Sequence, residues 1–424
     1  MLDLRAVRED PEAFRRDLAR RSTGLADDVD RLLGADRRRR ELTATVEELR
    51  AEQNRGSKAV GRAMPEERER LIESLRKVSD RLTEVEPRLG EAEGEVRRLL
   101  ERLPNVPHES VPEGETDEDN ELLREVGERP SFGFRPRDHV DLGESLGMID
   151  LERAARVSGA RFAYLLGSAV LLQFALVRYC LDRLLPKGFI PVVPPVLVRE
   201  EALYGTGFFP TDEAQIYATR DDDLFLVGTS EVPLAGLHGE EILDPSTLPR
   251  RYVGYSTCFR REAGAYGKDT RGMFRVHQFD KVEMFSFTEG EASWQEHEFL
   301  RSCEEDLIRD LGIPYRVMNV CTGELGASAA KKYDIEAWLP GQDRYRELTS
   351  CSNTTDYQAR RLAIRVRYPD GNRPAHTLNG TACAVGRTLI AILENHQQQD
   401  GSVTVPEALH PYLPEDHRVL RPGE

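Results

Sequence analysis

The sequence predicts an α+β fold, with an antiparallel β-sheet flanked by helices and preceded by an antiparallel α-helical coiled-coil hairpin. Three observations predict it. The first hundred residues carry a heptad-like apolar repeat, a proline-rich acidic segment follows, and the β-rich stretches beyond it succeed one another with turns between. Regular βαβ alternation and a G-x-G-x-x-G loop are both missing, which argues against a dinucleotide-binding α/β fold. At 424 residues the chain also exceeds what one hydrophobic core usually supports.

The hairpin is read first. From Leu71 the apolar residues fall at Leu71, Leu75, Val78, Leu82, Val85, Leu89, Ala92, Val96, Leu99 and Leu103 in steps of three and four. That spacing is a coiled-coil seam, and Pro65 sits where such a helix can begin. A helix from Pro65 to Leu103 would be roughly 57 Å long at 1.5 Å per residue, so it should project as an arm. A weaker seam precedes it through Val29, Leu32, Leu42, Val46 and Leu49, and the Gly56 to Pro65 stretch GSKAVGRAMP is expected to interrupt it. Basic residues gather on the first helix and the turn: Arg37, Arg38, Arg39, Arg40, Arg50, Arg55, Lys58 and Arg62. Pattern alone reads them as a solvated coiled-coil flank, with contact to an RNA backbone as the alternative.

The segment LPNVPHESVPEGETDEDNE suits neither a helix nor a central strand and places a boundary near residues 104–125. Beyond it, a helix is expected over Arg161 to Leu185, with strands at Phe189 to Val198, Leu224 to Val227, Arg251 to Phe259 and Val276 to Phe287.

Composition excludes several classes. A formal net charge of -16 is wrong for an indiscriminate polyanion binder, so any nucleic-acid partner needs a local basic surface. The six cysteines lie far apart with no C-x-x-C pair, so neither zinc nor a disulfide framework is expected and a reducing, cytoplasmic setting fits. The start MLDLRAVREDPEAF lacks the apolar centre of a signal peptide, and the longest uncharged run, Phe162 to Val177, is too short and mixed for a membrane span.

The chemistry concentrates in FRREAGAYGKDTRGMFRVHQFDKVE, Phe259 to Glu283, which is rich in arginine and lysine within an acidic chain. On a strand, Arg260 and Glu262 would share a face, where a guanidinium can clamp phosphate and a carboxylate can accept from an amine or hydroxyl. Ala263 to Phe274, with three glycines, is expected to form a mobile surface loop. The returning strand would carry Arg275, His277, Phe279 and Lys281 on one alternating set, with Phe279 offering a flat face to a base. Taken singly, these are ordinary surface ion pairs and core aromatics; the ordered combination points to a nucleotide.

That combination, arginine-x-glutamate, a loop, then Arg275, Phe279 and Glu283 at four-residue steps, resembles motif 2 of the class II aminoacyl-tRNA synthetases. GFIPVVPPVLV, with Gly188 and Pro195 after a long helix, resembles motif 1 (about 161–198). HTLNGTACAVGRTLIAILENHQ resembles motif 3 (about 376–398), with Gly386 and Arg387 opening a helix; motif 2 spans about 251–287. GTSE at Gly228 to Glu231, ELTSCSNTTDYQARR from Glu347, and HTLNG at His376 are similar to the seryl-tRNA synthetases of the bacterial type, and the resemblance runs from Met1 to about residue 412.

The resemblance implies a class II catalytic domain over 111–424 with a six- to eight-stranded antiparallel sheet, usually in a homodimer built on motif 1. It implies an N-terminal tRNA-binding domain over 1–110, whose arm holds the long variable arm of serine tRNA, so the RNA reading of the arm basic residues prevails. The substrates implied are L-serine, ATP with Mg2+, and serine tRNA. By position, the ATP-binding set is Arg260, Arg261, Glu262, Arg275, Phe279, Glu347, Leu348, Thr349, Ser350 and Arg387. Arg260 matches the α-phosphate arginine and Arg387 the one near the γ-phosphate, both catalytic. Phe279 matches the aromatic stacked on adenine, and Glu347 and Ser350 the magnesium ligands. The serine pocket matches Thr229, Ser230, Glu231, Glu283 and Thr381. Thr349 and Thr381 stand where serine is common in the family. The alternatives are an active paralogue that serves a specialised pathway or inhibitor resistance, and a silent synthetase-like RNA-binding protein; retention of Arg260, Glu283, Glu347 and Arg387 argues against silence.

Overall fold

Residues 1–264, 269 and 271–423 are described in a computed structural model of the protein. The chain divides into one unit of Leu2–Pro104 and another of Met1 with Asn105–Glu424.

The first unit is built on helices α1 (Gly24–Val60) and α2 (Pro65–Arg102), packed as a hairpin, with Pro65 at the first position of α2. Val46 and Leu49 of α1 bury against Val78, Leu82 and Val85 of α2, with Leu42 and Leu89 half-buried beside them. The seam drifts by one residue at its end, where Leu100 rather than Leu99 is buried. A straight helix of 3.6 residues per turn slips about 20° per heptad against a 3.5-residue repeat, and about four heptads from Leu71 bring the inward position one residue later. The interruption expected over Gly56 to Pro65 is present but confined to its second half, because α1 runs through to Val60 and α2 starts at Pro65. Gly56 instead leaves a gap that Leu75 fills: a Cβ there would lie 2.5 Å from Leu75 Cδ2.

The second unit is organised by eight strands: β1 (Glu121–Val126), β2 (Phe189–Val192), β3 (Arg250–Phe259), β4 (Gln278–Thr288), β5 (Tyr315–Asn319), β6 (Lys331–Leu339), β7 (Arg344–Asn353) and β8 (His376–Ala384). Their spatial order is β1-β5-β6-β7-β8-β4-β3-β2, antiparallel throughout except for the parallel pair β2 and β3. Helices α3 (Ser168–Leu184), α4 (Ser293–Asp310), α5 (Tyr357–Arg361) and α6 (Val385–Asn395) flank it. The α4 helix packs on β7 and β8, and α6 on β4 and β6. Between sheet and helices lies a core that includes Leu176, Met284, Leu300, Ile335, Leu378 and Ile390.

Several expected boundaries move for local reasons. The helix expected from Arg161 begins at Ser168, because Gly167 at φ 51° turns the chain just before it and Tyr164–Leu165 pairs as a short strand. The stretch Phe189 to Val198 splits into β2 and Leu197–Val198, with two prolines between them. Phe225–Leu226 joins a separate three-stranded sheet. Part of the expected surface loop, residues 265–268 and 270, lies outside the described residues. Its closing end is no surface loop, since Met273 and Phe274 belong to the core.

Two β-bulges set which side chains share a face. In β7 the register against β6 steps from Glu336 opposite Glu347 to Ile335 opposite Thr349, so Leu348 is the extra residue. Residues three apart on a regular strand point to opposite faces; the bulge brings Glu347 and Ser350 to the same side. In β8 the step from Cys383 to Thr381, with Ala382 extra, sets Thr381 opposite Glu283 of β4.

Candidate active site

A cavity of about 800 Å³ opens on this face of the second unit, lined by β4, β7, β8 and the start of α6. It brings together Thr229, Glu231, Arg260, Glu262, Arg275, Phe279, Glu283, Glu347, Leu348, Thr349, Ser350, Thr381 and Arg387, residues up to 158 positions apart in the chain. Two of the expected residues are elsewhere. Ser230 is fully buried at the start of a short helix, off the cavity lining, and its hydroxyl has no hydrogen-bond partner among the described residues. Arg261 is exposed, with its guanidinium over the Tyr217 ring at 5.8 Å and its amide bound to Gln215.

Two arginines of the cavity are fixed from behind by backbone carbonyls. Arg260 follows β3 directly, donates from Nε to Gly228 O at 3.0 Å, and lies 5.3 Å from the Phe279 ring centroid. The expected strand geometry for Arg260 and Glu262 fails, since β3 ends at Phe259 and Glu262 takes φ 50°. That left-handed turn still delivers Glu262 to the cavity, where Arg275 pairs with its carboxylate. Arg275 and His277 precede β4 rather than alternating along it. The alternation starts at Phe279 and continues through Lys281 and Glu283, all three in the lining.

Arg387, in the first turn of α6, donates to Glu347 O at 3.0 Å and to Glu347 Oε2 at 3.2 Å, and its guanidinium lies 4.7 Å from the Phe274 ring centroid. Arg346 covers the same ring at 4.0 Å. Confinement works against ionising Glu347, but Arg387 and Lys332 hold its carboxyl down at about 2. The side chain is still 43% exposed and able to meet a ligand.

The inner end of the cavity is dense with buried polar groups. Lys281 donates to Thr229 Oγ1 at 2.6 Å and pairs with Glu283, whose other contact is Thr381 Oγ1 at 3.4 Å. Glu231 Oε1 accepts from Gln358 Nε2 at 2.7 Å and from Asn379 Nδ2 at 3.1 Å. Burial, with the Glu283 carboxylate nearby, pushes the Glu231 carboxyl up to about 7. The Thr349 hydroxyl turns away to donate to Glu304 Oε2 at 2.9 Å, and burial lifts the Glu304 carboxyl well above its usual range.

Lys281, Lys332, Arg346, Gln358 and Asn379 carry no functional role in the sequence reading. Alternation along β4 groups Lys281 with Phe279 without assigning it a partner. No local signal marks Gln358, which reaches Glu231 only through the packing of α5.

Comparison with known proteins meets this geometry. Residues 1–107 match the family model of the seryl-tRNA synthetase N-terminal domain, and residues 215–396 match that of the class II tRNA synthetase core domain (G, H, P, S and T). The serine–tRNA ligase of Acidothermus cellulolyticus is 52% identical over 425 residues, covering 100% of both chains. The chain belongs to the seryl-tRNA synthetase family.

Solved structures agree across the whole length. The seryl-tRNA synthetase of Pyrococcus horikoshii, crystallised with ATP, superposes with a TM-score of 0.94 at 44% identity, covering 100% of each chain. The cytoplasmic serine–tRNA ligase of Naegleria fowleri, in complex with AMP, gives 0.89 at 34% identity, covering 100% of this chain and 99% of that one. The class II sheet and the N-terminal helical hairpin expected from the motifs are both present.

Proposed function

We propose that the protein is a serine–tRNA ligase that activates L-serine with ATP and passes the seryl group to the 3′ end of serine tRNA. The observation that carries this reading is the convergence, in one cavity, of two backbone-anchored arginines, an aromatic face and the buried carboxylates Glu231 and Glu283.

In the first step a serine carboxylate oxygen attacks the α-phosphorus, the bond from that phosphorus to the bridging oxygen breaks, and pyrophosphate leaves. Serine is already the nucleophile, so no protein base is required and positioning does most of the work. Arg260 meets the charge that grows on the α-phosphate oxygens and Arg387 the outer phosphates; both guanidinia are held by carbonyls and need little reorganisation. Phe279 stacks on adenine, with Glu262 and Arg275 beside the base. Thr229, Glu231, Glu283 and Thr381 take the α-ammonium and hydroxyl of serine, and rejection of alanine follows because its missing hydroxyl would leave buried polar groups unpaired. In the second step the terminal ribose hydroxyl of tRNA attacks the seryl carbonyl and AMP departs.

Glu347 and Ser350 are the residues suited to magnesium. Both present oxygen on the cavity side of the bulged strand, and the Glu347 carboxyl stays ionised across the working pH range. Among the described residues no group of three or more histidines, cysteines or acids is gathered to hold a metal, and the oxygens of these two residues are among those the cavity offers such an ion. Bound there, it would neutralise phosphate charge.

The hairpin, residues 1–110 in the domain division proposed here, binds the tRNA, and residues 111–424 carry out the chemistry. A homodimer formed on motif 1 is supported by exposed apolar side chains there: Phe174 at 55%, Ile190 at 53% and Val193 at 83% exposure. Among the described residues no helix is long and apolar enough to cross a membrane.

Serine-dependent exchange of labelled pyrophosphate into ATP, with protein, magnesium and no tRNA, tests the reading. Exchange is expected with serine; a higher rate with glycine, threonine or alanine would remove the pocket assignment.

A further inference from the structure

Gln358 does not line the cavity, yet its side-chain amide is the closest polar contact of the Glu231 carboxylate. Its orientation is set by chemistry. Nε2 faces two groups that can only accept when Glu231 is ionised, Glu231 Oε1 at 2.7 Å and Thr206 O at 3.2 Å, while Oε1 accepts from the Thr377 hydroxyl at 2.8 Å. With the Thr354 hydroxyl also on Oε1 at 3.4 Å, the amide is engaged at both its nitrogen and its oxygen, fully buried, and cannot flip without setting its carbonyl against a carboxylate. Asn379 Nδ2 adds a second donor to the same Glu231 oxygen. With Oε1 taken by two amides, Oε2 is the oxygen left for an incoming group.

We propose that Gln358 is a positioning residue for amino-acid recognition: it anchors Glu231 Oε1 so that Oε2 is presented at a fixed place and angle to serine. The proposal rests on the serine-activating reading above and adds the residue that aims its pocket. Three charged groups of the protein act on Glu231: Glu283 and Lys281 from β4, and Arg260 after β3. Lys281 is already committed to Glu283 and Thr229. Glu231 thus depends on neutral donors for its geometry, and Gln358 supplies the shorter of the two contacts.

The test compares wild type with Gln358→Leu and Gln358→Glu in pyrophosphate exchange, measuring KM for serine and for ATP from pH 6 to 8.5, with thermal unfolding run alongside. Leucine keeps the bulk and removes the donor. The expected result is a serine KM raised about 10- to 100-fold, with KM for ATP within about twofold of wild type, because a carboxylate that loses its anchor is lost to serine and not to the nucleotide. Glutamate restores the donor only when protonated, so the ratio of its serine KM to that of wild type is expected to shrink as pH falls. A merely structural role predicts a lower melting temperature with serine KM unchanged, and that result overturns the proposal. So does a Gln358→Glu ratio that is flat with pH, which decides the matter alone if the leucine variant does not fold. Wild-type protein inactive with serine would instead sink the functional reading, which keeps the two failures distinct.

Discussion

In the hairpin, Arg38 and Arg50 reach Glu95 and Glu86 across the helix pair at 2.6 and 2.8 Å, with 59% and 63% of their side chains in solvent. In the cleft, Arg387 meets Glu347 with 23% of its side chain exposed, and Arg275 meets Glu262 with 31%. The chemical pairs are the same and the surroundings are not. An exposed pair gains at most about 1 kcal/mol, because water screens it and ordering two long side chains costs entropy. In the cleft the arginines are less exposed than in the hairpin, so water screens their attraction less and each guanidinium is held more firmly in place. Asp36 is the exception that shows the rule within the hairpin: it is fully buried, and Arg39 and Arg40 close on it at 2.8 and 3.1 Å. Two of the arginines expected to contact RNA are thereby engaged within the arm.

The largest contrast is expected from truncating one arginine in each region. Arg260→Ala should cut pyrophosphate exchange by about 100- to 1,000-fold, the loss typical of a preorganised group aimed at transition-state charge. Arg38→Ala should leave exchange unchanged. An Arg260→Ala protein that is folded and retains near-normal exchange would break the comparison at its strongest point.

Next in size is removal of the arm. Deleting residues 31–100 and closing the gap with a short flexible linker should leave exchange within about threefold, since none of the proposed adenylation residues lies there, while transfer to serine tRNA at subsaturating concentration falls by at least about tenfold. Equal transfer with and without the arm would return the hairpin to a solvated coiled coil.

The cost of keeping acids in the cleft can be measured directly. A carboxyl whose native pKa lies above its unfolded value carries an extra proton in the native state between the two. Stability is therefore lost as pH rises from about 4.5 to about 7, and the loss is complete above that. Glu231→Gln should accordingly stabilise the protein at pH 8 by about 1–3 kcal/mol while abolishing serine activation, with the gain fading toward pH 5. A destabilised Glu231→Gln protein at pH 8 would mean that burial costs Glu231 little.

The two regions were also unequally legible from sequence. The hairpin announces itself through a repeat whose partners are near in the chain, and only the drift from Leu99 to Leu100 and the uninterrupted helix at Gly56 escaped, both consequences of helix pitch and close packing rather than of residue type. In the cleft, motif order located Arg260, Phe279, Glu283, Glu347 and Arg387. What remained hidden depended on long-range geometry: the bulge at Leu348, the left-handed turn at Glu262, the burial of Ser230, and the contact from Gln358 to Glu231 across 127 residues. Spacing along a strand fixes a face only while the strand stays regular, and both functional strands β7 and β8 break register at the site.

The smallest expected effect separates two sets of cations within the arm itself. Arg37, Arg55, Lys58 and Arg62 are exposed, whereas Arg38 and Arg50 are exposed but held to Glu95 and Glu86. A phosphate contact releases counterions, so tRNA affinity should fall as salt rises, and each contacting residue neutralised should flatten the logarithmic slope by up to about one unit. A paired arginine must first give up its carboxylate, which offsets part of the gain, so neutralising the first set should flatten the slope more per residue than neutralising Arg38 and Arg50. Glutamine variants of each set, titrated with serine tRNA by filter binding over a range of potassium chloride, measure the difference. Equal slopes for both sets and the wild type would mean that the RNA is held elsewhere, and the basic flank would then serve only to keep the hairpin solvated.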